Sequence, residues 1–182
     1  MILLAALQLI CCSYLTDIYA INNGIYCRDD SEVRMTHEQS LQSHLISLKL
    51  SDCAINWLMI VWRMMQTFDD FADKDEVTRE RLDTLIFDSF VTYASHPFFI
   101  THYQQLTSVC ANVFFKWKAS DTAERSGVVS EVSFVWRAAF YDLIVTAMFI
   151  EFGREYTTEN SHLIMSLYGE RYSDYAGEFN HA

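Results

Sequence analysis

Apolar residues recur along this chain at helical rather than strand spacing. In HEQSLQSHLISLKL, residues 37–50, Leu41, Leu45 and Leu48 fall at steps of four and three with Ile46 beside them, which predicts one apolar helix face. Thr36 and Gln39 stand ahead of it in capping-box spacing. Ser51 or Asp52 is placed to cap a second helix over residues 53–72. That helix contains AINWLMIVWRMM and is apolar nearly all round, so it is expected at the centre of the fold. Its thin polar stripe, Asn56, Arg63, Gln66 and Asp70, runs down to the acidic stretch FDDFADKDE.

Beyond a turn at residues 73–75, with Asp75 as cap, residues 77–95 predict a third helix with Leu82, Leu85, Ile86 and Phe90 inward. His96-Pro97 ends it, because the residue before proline leaves the α region, and Pro97 opens a fourth helix over residues 97–120. SDTAERSG reads as a hydrophilic joint. One long helix is expected over residues 128–152, stopped by Gly153, and a last amphipathic helix over residues 158–179, broken near Gly169. The four tryptophans, Trp57, Trp62, Trp117 and Trp136, lie in apolar helices and are assigned to the core. With 5 Gly and 1 Pro in 182 residues, the chain lacks the turn residues an all-β fold needs. The reading is an all-α, single-domain bundle of about five or six helices over residues 35–182.

Residues 1–34 are set apart. MILLAALQLICCSYL is apolar but has no basic n-region and is short for a membrane span, which needs about 20 residues. Three readings stay open: a helix of the fold, a membrane anchor using residues 2–15, or an upstream extension of a domain that starts at Met35. The five cysteines, Cys11, Cys12, Cys27, Cys53 and Cys110, form no CxxC pair and read as buried thiols of a reducing compartment rather than a zinc site.

Charge narrows the partners. A net charge of -11 argues against nucleic acid, which requires clustered Lys and Arg, and favours cations or basic proteins. The acids Asp69, Asp70 and Asp73 share helix faces at spacings of three and four and sit at a helix C-terminus, where the dipole opposes them. Either solvent and nearby basic residues screen them at a helix-turn-helix corner, or a cation such as Mg²⁺ does. Asp75 and Glu76 fit the first reading as first-turn residues of the next helix. In VWRAAFYDLIV, Arg137 and Asp142 lie five residues apart in apolar sequence and each needs a partner on another helix. Arg137 is expected near Asp69 or Asp70, and Asp142 in an ion pair with Arg63. In the functional version, Asp69, Asp70, Asp73 and Asp142 hold a metal and Arg137 binds an anionic group beside it. His96 and His102 read as a loop residue and a partly buried ring. There is no P-loop, no GxGxxG and no Ser-His-Asp or Cys-His set at diagnostic spacing, and a calcium loop starting at Asp73 fails at Thr78, where Gly is required.

DDFAD resembles the DDxxD motif of isoprenoid synthases, whose second metal motif is echoed only by Asp142, Thr146 and Glu151, with the last acid out of register. A wider resemblance joins Trp62 to Asp75, His96 to Phe99, Phe114 to Trp117, Trp136 to Leu143 and Tyr168 to Glu170. This order, QxxDDxxDxD, HPFF, WRAxxYDL and YGE, is similar to a set of small all-helical proteins of tailed bacteriophages. It implies a viral source and the cytoplasm of an infected bacterial host, and it carries no activity. Three functions follow as expectations: an accessory protein that binds a host or phage protein, a Mg-dependent enzyme on a phosphorylated small molecule or nucleotide, or a membrane-associated protein.

Overall fold

A computed structural model describes residues 36–167 and 171–179, all within the unit that begins at Thr36. Seven helices are formed by the described residues. The first, α1, is His37–Ser47, started by the capping box in which Thr36 accepts from the Gln39 amide and Gln39 accepts from the Thr36 amide. Next is α2, Asp52–Asp73, capped by Ser51. Helix α3 spans Arg79–Phe87 and runs on through a π-helical turn, Asp88–Thr92, and a last α turn, Tyr93–Ser95. Helix α4 is Pro97–Arg125, α5 is Glu131–Arg137 and α6 is Tyr141–Asn160, followed by a 3₁₀ segment, Ser161–Leu167. Helix α7, Tyr172–Phe179, closes the described chain. The fold is all-α, and no strand occurs among the described residues.

Helix α2 is central, as its all-round apolarity requires. Trp57, Leu58, Met59, Ile60 and Val61 are consecutive and all buried, so neighbours must cover every side of it. Around it lie Leu41 and Leu45 of α1, Phe98, Leu106 and Val113 of α4, and Leu143, Ile144, Ala147 and Met148 of α6. Each large side chain so enclosed contributes about 1.5–3 kcal/mol relative to exposure. Trp57 stacks on Phe99 at 6.1 Å between ring centroids and meets the tilted Tyr93 ring at 5.9 Å.

Several boundaries differ from those the sequence predicts, each for a local reason. Asp73 is still helical, Lys74 ends α2 in the left-handed region at φ 67°, and Thr78, not Asp75, caps α3. SDTAER continues α4, because Asp121 is buried between Lys118 and Arg125 at the three- and four-residue spacings of a helix. The long helix of residues 128–152 is broken: i→i+3 bonds at residues 138–143 tighten one turn so that both Ala139 and Phe140 face the core, and the two parts meet at 54°. Gly153, at φ 76° and ψ -172°, kinks α6 rather than ending it. Ile86 and Phe90 point outward, with Leu85 and Tyr93 inward. Of the four tryptophans assigned to the core, Trp57 is buried in it and Trp62 packs against it, whereas Trp117 is half-buried at a cavity wall and Trp136 is 41% exposed. Cys53 is exposed and Cys110 half-buried against the Tyr93 hydroxyl at 3.4 Å. The apolar run of residues 2–15, the first three cysteines, Met35 and the YGE motif lie outside the described residues. No single described helix is long and apolar enough to cross a membrane.

Candidate functional site

The C-terminal half of α2, the C-terminal half of α4, α5 and α7 meet in a polar network. Asp69 on α2 accepts from the Trp117 indole N–H at 2.8 Å and faces Arg137 of α5 at 3.6 Å. The other side of the Arg137 guanidinium faces Glu124 of α4 at 3.9 Å, and its flat face lies 5.8 Å from the Tyr175 ring of α7. The Tyr175 hydroxyl donates to Glu124 at 2.8 Å and reaches Ser133 Oγ at 3.1 Å, while Ser120 donates to the Ser133 carbonyl at 2.8 Å. Burial first, and then its bond to Glu124, push the Tyr175 phenol up, against the pull of Ser133 and Ser120. A few residues on, Arg125 holds Asp121 at 2.5 Å and donates to the Ala72 carbonyl at 2.9 Å, which satisfies an open carbonyl at the end of α2. Although burial pushes the Asp121 carboxyl up, the hydrogen bonds from Lys118 and Arg125 outweigh it and hold the group below its ordinary range.

Beside this network opens a cavity of about 190 Å³, walled by Trp62, Trp117, Phe134 and Tyr141 with Asp69 and Arg137 on its polar side. On the other flank of α2, a cleft of about 410 Å³ lies between α1, α2 and α3. Two ion pairs cross it, Arg63 with Glu38 at 3.0 Å and Arg81 with Asp70, and Glu80 and Asp88 line it as well.

The sequence-predicted site residues are thus placed apart. Arg137 does approach Asp69, although the helix that carries it packs chiefly on α4. The pairing of Arg63 with Asp142 does not occur. Asp142 instead takes Lys116 at 2.5 Å and the Asn112 amide at 3.5 Å, because the break before Tyr141 turns it toward α4. Asp70 turns away from Asp69 to α3, and Asp73 is exposed at the helix end. Partial desolvation, then the charge of Asp69, push the Asp73 carboxyl up, with Arg137 and Arg125 pulling back. The four carboxylates proposed as metal ligands, Asp69, Asp70, Asp73 and Asp142, therefore do not converge. Among the described residues, no group of three His, Cys, Asp or Glu side chains is placed to hold a metal ion. The second metal motif is dispersed as well: Thr146 bonds back to the Asp142 carbonyl at 2.7 Å, and Glu151 accepts from the amide and hydroxyl of Ser51. The arrangement neutralises charge and joins helices.

Sequence reasoning missed Lys116, Glu124, Asp121 and Tyr175. The spacing of Lys118, Asp121 and Arg125 could have revealed one of them. The others are contacts between helices distant in sequence, with no local signal. His96 caps α4 by accepting from the Phe98 amide at 3.3 Å, and burial pulls its ring down to about 4 from the ordinary 6.5. His102 marks a kink in α4 and packs on Phe98 at 5.1 Å.

Fold and network together define an all-α protein whose polar residues are organised in pairs across helices. Comparison with family models, curated proteins and solved structures finds no match.

Proposed function

We propose that the chain is an accessory protein of a tailed bacteriophage, working in the cytoplasm of the infected host by binding a host or phage protein through the corner between α2 and α3. The observation that carries this reading is the surface chemistry of that corner. Asp73, Asp75 and Glu76 are all exposed within four positions of the chain, and Phe68 and Phe71, on another face of the same end of α2, are 47% and 68% exposed. Acidic groups steer and select a basic surface, and the adjacent rings supply apolar contact that charge alone does not. Lys74 is the one basic residue within the stretch from 69 to 78. The metal-dependent alternative loses its support with the dispersal of its ligands, and the anchor reading rests on residues outside those described.

The test is affinity capture from infected cells with the native chain, the triple variant Asp73→Asn, Asp75→Asn, Glu76→Gln, and Phe71→Ser. A partner held by this corner is released as salt rises from roughly 0.05 to 0.5 M and is lost in both variants. Equal capture by all three forms at every salt concentration refutes the reading.

A further inference from the structure

The cavity beside Arg137 joins an aromatic wall to a charged end. Trp62 of α2, Trp117 of α4, Phe134 of α5 and Tyr141 of α6 form the wall. The polar atoms of two of these rings are committed elsewhere: the Trp117 N–H goes to Asp69, and the Tyr141 hydroxyl donates to the Leu167 carbonyl at 2.7 Å. Ring carbon is therefore what they offer a ligand. The charged residues of the lining are Asp69 and Arg137, whose side chains are 27% and 31% exposed. They face each other at 3.6 Å, wider than the roughly 2.7–2.9 Å of a direct charge-assisted bond. Gln66, a turn before Asp69 on α2, lines the cavity too and carries both a donor and an acceptor.

Charge and volume together select the ligand. A cation meets the Arg137 guanidinium, and an anion meets Asp69 in a chain of net charge -11. A zwitterion satisfies both but must shed the hydration of two full charges among aromatic rings. A neutral ring with an N–H next to a carbonyl satisfies both at lower cost, since the N–H donates to Asp69 and the carbonyl accepts from Arg137. Its flat π system packs on aromatic side chains, as nucleobases do. An apolar cavity of about 150 Å³ holds one benzene ring, whereas drug-sized ligands occupy roughly 300–1,000 Å³. At about 190 Å³ this cavity takes a small heterocycle and leaves a sugar or phosphate outside. We propose that it binds a free nucleobase or a neutral lactam ring of the same chemistry, with the N–H on Asp69, the carbonyl on Arg137 and the body among the aromatic rings. The acidic corner takes no part, so this site stands or falls independently of the protein partner proposed there.

Calorimetric titration of the full chain with uracil and with hypoxanthine tests this, read alongside the indole N–H resonance of Trp117. Ligands of this size reach dissociation constants of about 10 μM to 1 mM. The Trp117 signal shifts on binding, because its N–H ends on the carboxylate that receives the ligand. Uracil methylated on both ring nitrogens keeps its carbonyls and lacks every N–H, and it binds at least about tenfold more weakly. Asp69→Asn weakens uracil by a similar factor. Ala138→Leu, which fills the cavity and removes no polar partner, abolishes binding in a chain that still unfolds cooperatively. Uridine monophosphate binds no more tightly than uracil. The proposal is overturned by the absence of heat and of a Trp117 shift with both bases up to about 5 mM. Equal binding of the methylated ring, unchanged binding in both variants, or tighter binding of the nucleotide overturns it as well.

Discussion

The network around Arg137 and the outer stripe of α3 handle polarity in opposite ways. In the first, Asp69, Asp121 and Glu124 are partly or wholly withdrawn from water, and each takes donors from another turn or another helix. In the second, the large apolar side chains Ile86, Phe87, Phe90 and Val91 are left in water. Specific geometry resides where removal of one partner leaves another unsatisfied. An apolar stripe specifies little about its own helix, and what it contributes must come from something laid against it.

The sharpest way to break the contrast is to delete one side chain from each region. Asp121→Ala removes two charge-assisted bonds and frees Arg125 from its position over the end of α2. Urea denaturation should show a loss of about 2 kcal/mol, moderated because both basic partners are half-exposed. Phe90→Ala, measured on dilute protein, should move stability by less than about 0.5 kcal/mol. Similar losses for both would erase the distinction.

Acid offers a second handle. The folded protein resists protonating His96 until about pH 4, while the unfolded chain accepts the proton near 6.5. The stabilisation is therefore complete above the unfolded value and declines as pH falls from 6.5 toward 4, with no further loss from this ring below that. His96→Asn keeps a capping acceptor and should flatten the slope of the urea midpoint in that window. Asp121, held below its ordinary 3.8, contributes stability above that value which is lost only at lower pH, so the two windows separate. The smallest effect distinguishes neighbours on α2. Asp70→Asn loses the pair with Arg81 and should cost roughly 0.5–1 kcal/mol. Asp73→Asn relieves a carboxyl that is hard to ionise and should gain a few tenths of a kcal/mol. Thermal melts showing the same sign for both would mean that the acids act as one cluster.

Periodicity and caps made much of the architecture readable. Thr36 with Gln39, Ser51, and His96 with Pro97 mark helix starts because capping is chemistry among residues three apart or closer. The break at residues 138–140 was hidden, since Ala138, Ala139 and Phe140 carry no glycine or proline and the turn is set by packing. The orientation of α3 was misjudged for a related reason: Leu82, Leu85, Ile86 and Phe90 are all apolar, and periodicity cannot choose between two faces when both are greasy. Of the site, the approach of Arg137 to Asp69 followed from the need of a charge in apolar sequence for a partner. Which partner Asp142 takes depended on the hidden break, and so was out of reach.

The carboxylate of Glu151 receives the amide and hydroxyl of Ser51, one hundred positions earlier, and the Tyr156 hydroxyl reaches the Leu48 carbonyl at 2.9 Å nearby. The first turn of the central rod is thus completed by a segment synthesised long after it. Refolding should leave that turn frayed until the two distant stretches dock, so its amides gain protection from solvent exchange late, after the middle of the same rod is already closed.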